Sequence, residues 1–289
     1  MTNSVYIIIP VFNRKETTLA CLARLQSTGD LQRYNIVVVD DGSTDGTAKA
    51  IERQYPTVEI LTGDGNLWWT GAIAKGMQYA YDKGADYCFW LNDDCTPDAG
   101  ALPRLVKFMA QNPGTIAAPA CYNPEADKID RNGFKGRQSC AAVPGELVWV
   151  DGTCGWCVGI PRAVISKIGV PDARKFPQYS GDDTYTLRAS RAGFKVCLVG
   201  DARATLASGV RVTHNFQHFQ RSEHTLSQAW NSVFWSKKSP YHLPTKFFYC
   251  TERYGPIVGG VLFGAKMSTW LCQWGQLQLN ANRSTNAEA

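Results

Sequence analysis

Ile36-Val37-Val38-Val39-Asp40-Asp41-Gly42-Ser43-Thr44-Asp45 decides the fold. Four apolar β-branched residues in a row, with no polar alternation, describe a strand covered on both faces, as in a parallel sheet. The run stops at two acids and a Gly-Ser-Thr turn. Outward from it, Val5-Tyr6-Ile7-Ile8-Ile9 has the same character and is stopped by Pro10. Tyr87-Cys88-Phe89-Trp90-Leu91 is stopped by Asn92-Asp93-Asp94, and Val58-Glu59-Ile60-Leu61 supplies a further strand. Between these runs Leu19, Leu22 and Leu25 recur at helical spacing, as do Ala72, Gly76, Tyr79 and Ala80. The first 115 residues therefore read β-α-β-α-β-α-β, an α/β fold with a Rossmann-like, doubly wound, mostly parallel sheet.

In such a sheet, ligands bind in the crevice beyond the carboxyl ends of the strands. Each strand here ends in polar residues: Pro10-Val11-Phe12-Asn13, Asp40-Asp41-Gly42-Ser43, Gly63-Asp64-Gly65-Asn66 and Asn92-Asp93-Asp94. Taken alone, the Asp-Gly-Ser-Thr-Asp stretch is also a turn with Ser43 or Thr44 capping the next helix. No Gly-x-Gly-x-x-Gly follows the first strand and no Walker loop occurs, which excludes the two familiar backbone cradles for phosphate. Without either, a diphosphate ligand needs a divalent cation, and the carboxylates of Asp93 and Asp94 are hard ligands suited to Mg2+ or Mn2+.

With 289 residues, 44% hydrophobic and 19% charged, the chain has the composition of a globular protein and not of a disordered or fibrous one. Lys and Arg exceed Asp and Glu by only 30 to 25, too little for a nucleic-acid binder but compatible with anionic phosphates or an anionic membrane face. Met1 to Tyr6 lacks a basic stretch leading into an apolar one, so the expected location is the cytoplasm, with the ten cysteines mostly free thiols; the C-terminal segment described below would add a peripheral place at the inner face of the cell membrane. Cys154-Gly155-Trp156-Cys157 has the spacing of a zinc or redox pair, but it has no second ligand pair and does not open a helix after the first strand, so it reads as buried thiols. From Leu226 onward Trp230, Phe234, Trp235, Phe247, Phe248, Tyr249 and Tyr254 interleave with Lys237, Lys238, Lys246 and Arg253, the look of a membrane-surface segment. Gly255 to Gly275 is apolar but interrupted by Lys266 and Gln273, and reads equally as a helix packed on the domain or on a second subunit.

The ordered set Ile9-Pro10-Val11-Phe12-Asn13, Val38-Val39-Asp40-Asp41-Gly42-Ser43-Thr44-Asp45 and Asn92-Asp93-Asp94 resembles the nucleotide-sugar half of the inverting family 2 glycosyltransferases of the GT-A fold. Gly181-Asp182-Asp183, followed by Leu187-Arg188-Ala189-Ser190-Arg191-Ala192-Gly193-Phe194, is similar to the family's acidic catalytic motif and its helix. The resemblance spans about residues 4–220. It implies a GT-A catalytic domain over 1–220, with a nucleotide-sugar half (1–115) and an acceptor half (116–220), then a C-terminal helical segment (221–280) and a disordered tail (281–289).

Carried over residue by residue, the resemblance makes Asp41 the ligand of the base with Asp40 beside it. Pro10, Val11 and Asn13 form one wall of the nucleotide pocket, and Asn66 lies in the same cofactor-binding set. Asp94 takes the metal-binding position, with His214 as a further metal ligand. Asn92 stands where the family's Asp-x-Asp form has its first acid, leaving Asp93 as the nearest carboxylate. Asp182 matches the catalytic base, with Asp183 its close alternative, and Gly181 replaces an acid that usually precedes the base. The implied activity is a metal-dependent inverting hexosyltransferase. It would move a sugar, rhamnosyl as a first expectation, from a nucleotide-diphosphate donor to a glycan or lipid-linked acceptor in cell-surface polysaccharide synthesis, with Mn2+ or Mg2+ as cofactor. A nucleotidyltransferase would need a Gly-rich, Arg- or Lys-bearing loop after strand one, which is missing, and a degenerate sugar-nucleotide-binding scaffold would explain Asn92 and Gly181 but not the intact Asp94 and Asp182.

Overall fold

The structure, a computed structural model, describes residues 3–207 and 225–287, with side chains as far as residue 278. It divides into two compact units, Met1–Val210 and Arg211–Ala289.

The first unit opens as the sequence predicts: β1 (Val5–Val11), α1 (Lys15–Ser27), α2 (Asp30–Arg33), β2 (Asn35–Asp40), α3 (Thr47–Gln54), β3 (Glu59–Thr62), α4 (Trp68–Asp82) and β4 (Tyr87–Leu91). The continuous apolar runs are central strands: Ile7, Ile8, Ile9, Val38, Val39, Phe89, Trp90 and Leu91 have no exposed surface. β1 pairs in parallel with β2 on one side and β4 on the other, and β2 pairs in parallel with β3, so the crevice opens where β1 meets its two neighbours.

Next come β5 (Cys95–Pro97), α5 (Ala101–Gln111), β6 (Thr115–Asn123), β7 (Lys128–Asp130), β8 (Gly133–Lys135), β9 (Gln138–Cys140), β10 (Leu147–Val150), β11 (Gly152–Thr153), β12 (Cys157–Pro161), α6 (Arg162–Ile168), α7 (Gly181–Arg191) and β13 (Lys195–Leu206). The main sheet runs β10-β13-β6-β12-β4-β1-β2-β3, and β11-β8-β9 form a small separate sheet. β12 is antiparallel to both neighbours and β10 is antiparallel to β13, while the other strands of that path share one direction. β12 is buried along its whole length, and Gly159 is required within it because a Cβ there would lie 2.7 Å from Met109 Cε and 2.8 Å from Phe89 Cζ. β13 bends where its register against β6 jumps between Val199 and Arg203. Beyond the bend it pairs with β5, and the N–H of Ala207 donates 2.8 Å to the carbonyl of Asp94. β13 thus ends at the acidic motif.

The second unit contains α8 (Leu226–Phe234), α9 (Leu243–Tyr254) and α10 (Pro256–Ala287). α8 begins with a reciprocal capping box between Thr225 and Gln228. Val233 and Phe234 are buried under Trp230, Tyr241, Trp270, Leu271 and Trp274. Trp230 and Phe234, expected at a membrane surface, therefore serve this unit's own core, whereas Trp235, Phe247, Ile257, Val258 and Val261 are exposed. Among the described residues no helix is long and apolar enough to cross a membrane. α10 continues to Ala287, into the segment expected to be a disordered tail; no glycine or proline follows Gly275 to stop it.

Candidate active site

The first two strand ends are stitched together by Asn13, which takes a left-handed backbone conformation (φ 51°) that asparagine tolerates. Its N–H donates to Ser43 Oγ (2.8 Å) and its Oδ1 accepts from the Thr44 N–H (2.7 Å). Asp40 accepts the Ser43 N–H at 2.8 Å, and Val11 accepts the Asp41 N–H at 2.9 Å. Ser43 and Thr44 are thus spent on this turn; α3 starts instead after Gly46, and Asp45 accepts the Thr47 N–H (3.0 Å). Pro10 is half-buried and Val11 buried, behind the turn.

Asp41 is 5% exposed and accepts three backbone N–H groups, from Gly65 (2.9 Å), Leu67 (3.1 Å) and Trp68 (2.9 Å). It fills the amino end of α4, where unpaired N–H groups and the helix dipole favour a negative charge. Gly63 makes room for it, since a Cβ there would lie 2.5 Å from Asp41 Oδ1. Asn66 is exposed at the tip of the same loop.

At the end of β4 the two acids differ. Asp93 faces inward: the guanidinium of Arg14 lies 3.3 Å from its Oδ1, and Thr18 donates 3.1 Å to its Oδ2. Burial raises its pKa to about 6, against the pull of Arg14 and with a further push from Asp94. Asp94 receives the other arm of Arg14 at 3.0 Å on Oδ2, while its Oδ1 has no hydrogen-bond partner among the described residues. Arg14 was not legible in sequence, because its partners lie 79 and 80 residues away across β1 and β4. Among the described residues no group of three or more His, Cys, Asp or Glu side chains forms a metal cage. A single carboxylate with an unsatisfied oxygen nonetheless fits Mg2+ or Mn2+, which take one or two protein carboxylates and complete their shell with substrate phosphates and water. His214 lies outside the described residues.

The position that the resemblance gives to the base sits on α7, which begins at Gly181, so both acids lie in its first turn. Asp182 accepts the Gly155 N–H on Oδ2 (2.6 Å) and the Asp183 N–H on Oδ1 (2.8 Å). Burial raises its pKa, partly offset by those two donors. Gly181 has a steric cause: a Cβ would lie 2.2 Å from Thr70 Oγ1, so the start of α7 presses against α4 where a larger residue cannot fit. Gly155 is similarly confined, because a Cβ there would lie 2.5 Å from the Trp69 ring and 3.0 Å from Asp182 Cβ. The Cys-x-x-Cys segment therefore serves the site through its glycine. Burial raises the pKa of both Cys154 and Cys157, the reverse of what a reactive thiolate needs, and all ten cysteines are free.

Trp69 joins the two sides. Its Nε1–H donates to Asn92 Oδ1 at 2.7 Å, and its ring meets the fully buried Trp90 edge-on at 5.8 Å. Asp41, the amino end of α4, Trp69, Asn92, Gly155 and Asp182 form one contiguous chain of contacts.

Residues 6–147 match the family model Glycosyl transferase family 2, which takes in the first three motifs and stops short of Asp182. Glycosyltransferase AglE of Haloferax volcanii is 38% identical over 111 residues, 37% of this chain and 35% of the relative. The probable glucomannan 4-beta-mannosyltransferase 2 of Oryza sativa subsp. japonica is 22% identical over 289 residues, 88% of this chain and 47% of the relative. The chain thus spans 35% to 47% of the length of these two curated relatives. Among solved structures, mannosyltransferase PcManGT from Pyrobaculum calidifontis, in complex with GDP-Man and Mn2+, superposes with a TM-score of 0.57 at 16% identity, covering 99% of this chain and 84% of that one. That likeness is one of fold, the GT-A arrangement of a curled, mostly parallel sheet. Motif order, strand-end geometry and family match together make residues 6–147 of this chain a glycosyltransferase family 2 region.

Proposed function

We propose that the chain is a metal-dependent, inverting glycosyltransferase that moves a hexosyl group from a nucleotide-diphosphate donor to a glycan or lipid-linked acceptor in cell-surface polysaccharide synthesis. The observation that carries this reading is the unsatisfied Oδ1 of Asp94, set at the carboxyl end of β4 beside the guanidinium of Arg14. When bound, Mn2+ or Mg2+ would supply positive charge to the departing diphosphate. Asp94 is the residue that would hold it, through the oxygen that no described residue engages. Arg14 adds a second positive charge at the same corner. The turn from Pro10 to Asn13, with Asp40 and Asp41, forms the wall against which the base of the nucleotide lies, and Asn66 borders it.

For inversion, the acceptor hydroxyl attacks the anomeric carbon from the face opposite the diphosphate, and its proton passes to a carboxylate. Asp182 takes that role: two of its lone pairs hold N–H groups that fix its orientation, leaving others for the acceptor proton. Asp183 is its neighbour in the same turn. The second unit supports peripheral contact with an anionic membrane, where a lipid-linked acceptor resides: Ile257 and Val261 are 82% and 69% exposed on a unit that also carries Lys246, Arg253 and Lys266.

The test is a thermal-shift and calorimetric panel of GDP-mannose, UDP-sugars and dTDP-rhamnose with and without Mn2+, on the wild type and on Asp94→Asn. Wild type is expected to gain donor affinity with Mn2+, and Asp94→Asn to lose that gain. Equal Mn2+-dependent affinity in the two proteins would remove the metal assignment.

A further inference from the structure

Asn92 occupies the first position of the acidic motif, and its environment determines what it can offer a ligand. An indole N–H only donates, so the Asn92 atom 2.7 Å from Trp69 Nε1 is the amide oxygen. The backbone of Asn92 is held on both sides, its N–H by the Trp156 carbonyl (2.9 Å) and its own carbonyl by the Cys95 N–H (3.0 Å). The side-chain oxygen is committed to Trp69, and no described group accepts from Nδ2. What remains at this strand end, two residues before Asp94, is an NH2 group.

Trp69 is itself immobilised. Its backbone N–H donates 3.3 Å to Gln178 Oε1, its ring lies edge-on against buried Trp90, and Gly155 fits against its six-membered ring with no room for a Cβ. An indole that cannot turn fixes an amide that cannot flip. We propose that Trp69 is a positioning residue that locks Asn92 with its NH2 toward the donor, so that this position donates a hydrogen bond to a donor oxygen instead of offering an oxygen to the cation. The donor oxygen would be a hydroxyl or a diphosphate oxygen, both acceptors that an amide NH2 suits. Cation binding then falls to Asp94, because both oxygens of Asp93 are engaged, by Arg14 and Thr18, whereas Asp94 shares only one with Arg14 and keeps Oδ1 without a partner. Asn92 is thus a specificity device and not an eroded metal ligand. The inference rests on the glycosyltransferase reading above.

Three variants test it: Trp69→Phe, which keeps a ring but loses the N–H; Asn92→Asp, which still accepts from the indole but places a second oxygen at the crevice; and the double variant. Mn2+ affinity is read without nucleotide by electron paramagnetic resonance, and affinity for GDP-mannose and for UDP-glucose with Mn2+ by calorimetry. Asn92→Asp is expected to bind Mn2+ about ten-fold more tightly, because a carboxylate oxygen replaces an NH2 beside the cation, and to bind its nucleotide sugar more weakly. Trp69→Phe frees the amide, so nucleotide-sugar affinity should fall by about three- to ten-fold while Mn2+ affinity rises by a few-fold. In the double variant the donor loss should not exceed that of Asn92→Asp alone, since both changes remove the same hydrogen bond. Wild-type affinities in Trp69→Phe, or unchanged Mn2+ affinity in Asn92→Asp, would overturn the proposal. If Trp69→Phe fails to fold, Asn92→Asp decides alone, because it leaves the tryptophan packing in place. A wild type that binds no nucleotide sugar with Mn2+ would remove the glycosyltransferase reading along with this one, whereas a binding wild type with indifferent variants removes only this one.

Discussion

Asp182 is held as a carboxylate by two N–H groups and pushed toward the acid form by burial, and burial is the larger effect. The proposed base works only when deprotonated, so the acid limb of kcat should lie above the ordinary aspartate range near pH 4, and activity should be lost as pH falls through the raised pKa. The same shift bears on stability with the opposite sense: the folded state holds this proton more tightly than the unfolded one, so Asp182 costs stability as pH rises through its folded pKa. Asp182→Asn should lower kcat by about 10² or more with nucleotide affinity kept, since the amide preserves size but takes no proton, and Asp183→Asn should do less. Single-turnover transfer assays on both variants decide the order; a reversed ranking would move the base to Asp183. Asp41 belongs to a different kind of test. Its three N–H partners at the head of α4 mean that Asp41→Ala should destabilise the fold by about 2–4 kcal/mol in urea unfolding, whatever it does to nucleotide binding. A loss under about 0.5 kcal/mol would mean that solvent replaces those bonds at no cost.

α7 meets α4 through an absence, the missing side chain of Gly181. Gly181→Ala should destabilise by about 1–3 kcal/mol through overpacking against Thr70, and Thr70→Ala should recover most of that loss in a double-mutant cycle. Additive effects of the two changes would show that the glycine answers to backbone freedom instead. The elements legible in sequence were those whose pattern is local. β1, β2 and β4 were visible as unbroken β-branched and aromatic runs, and α1 and α4 as apolar stripes, because burial on one or two faces leaves a short-range periodicity. β3 was found one residue off at each end. β12 was not visible, since Cys157-Val158-Gly159-Ile160-Pro161 carries a glycine and a proline and becomes a strand only because β4 and β6 hold it on both sides. The candidate site divides the same way. Acids stand out at strand ends, but Arg14 and the link from Trp69 to Asn92 depend on residues brought together over 79 and 23 positions, which no local pattern encodes.

For the whole chain, the second unit is a helical assembly with its own aromatic core and an exposed aliphatic group at the start of α10. Ile257→Ser with Val261→Ser should reduce binding to anionic phosphatidylglycerol vesicles by about ten-fold or more in co-sedimentation, because each buried aliphatic side chain contributes about 1.5–3 kcal/mol. Circular dichroism checks that the helices persist. Wild-type protein that ignores such vesicles would leave α10 as a surface for another protein. The position of β12 reaches further, into how the polypeptide is made. β4 is complete at Leu91, but the strand that covers its free edge begins at Cys157. At about 5–20 residues per second, a nascent chain waits roughly 3–13 seconds with the edge of Phe89-Trp90-Leu91 unpaired. An apolar edge left open that long is a template for pairing with other chains, so the interval between the synthesis of β4 and that of β12 is when this chain is most exposed to misassembly.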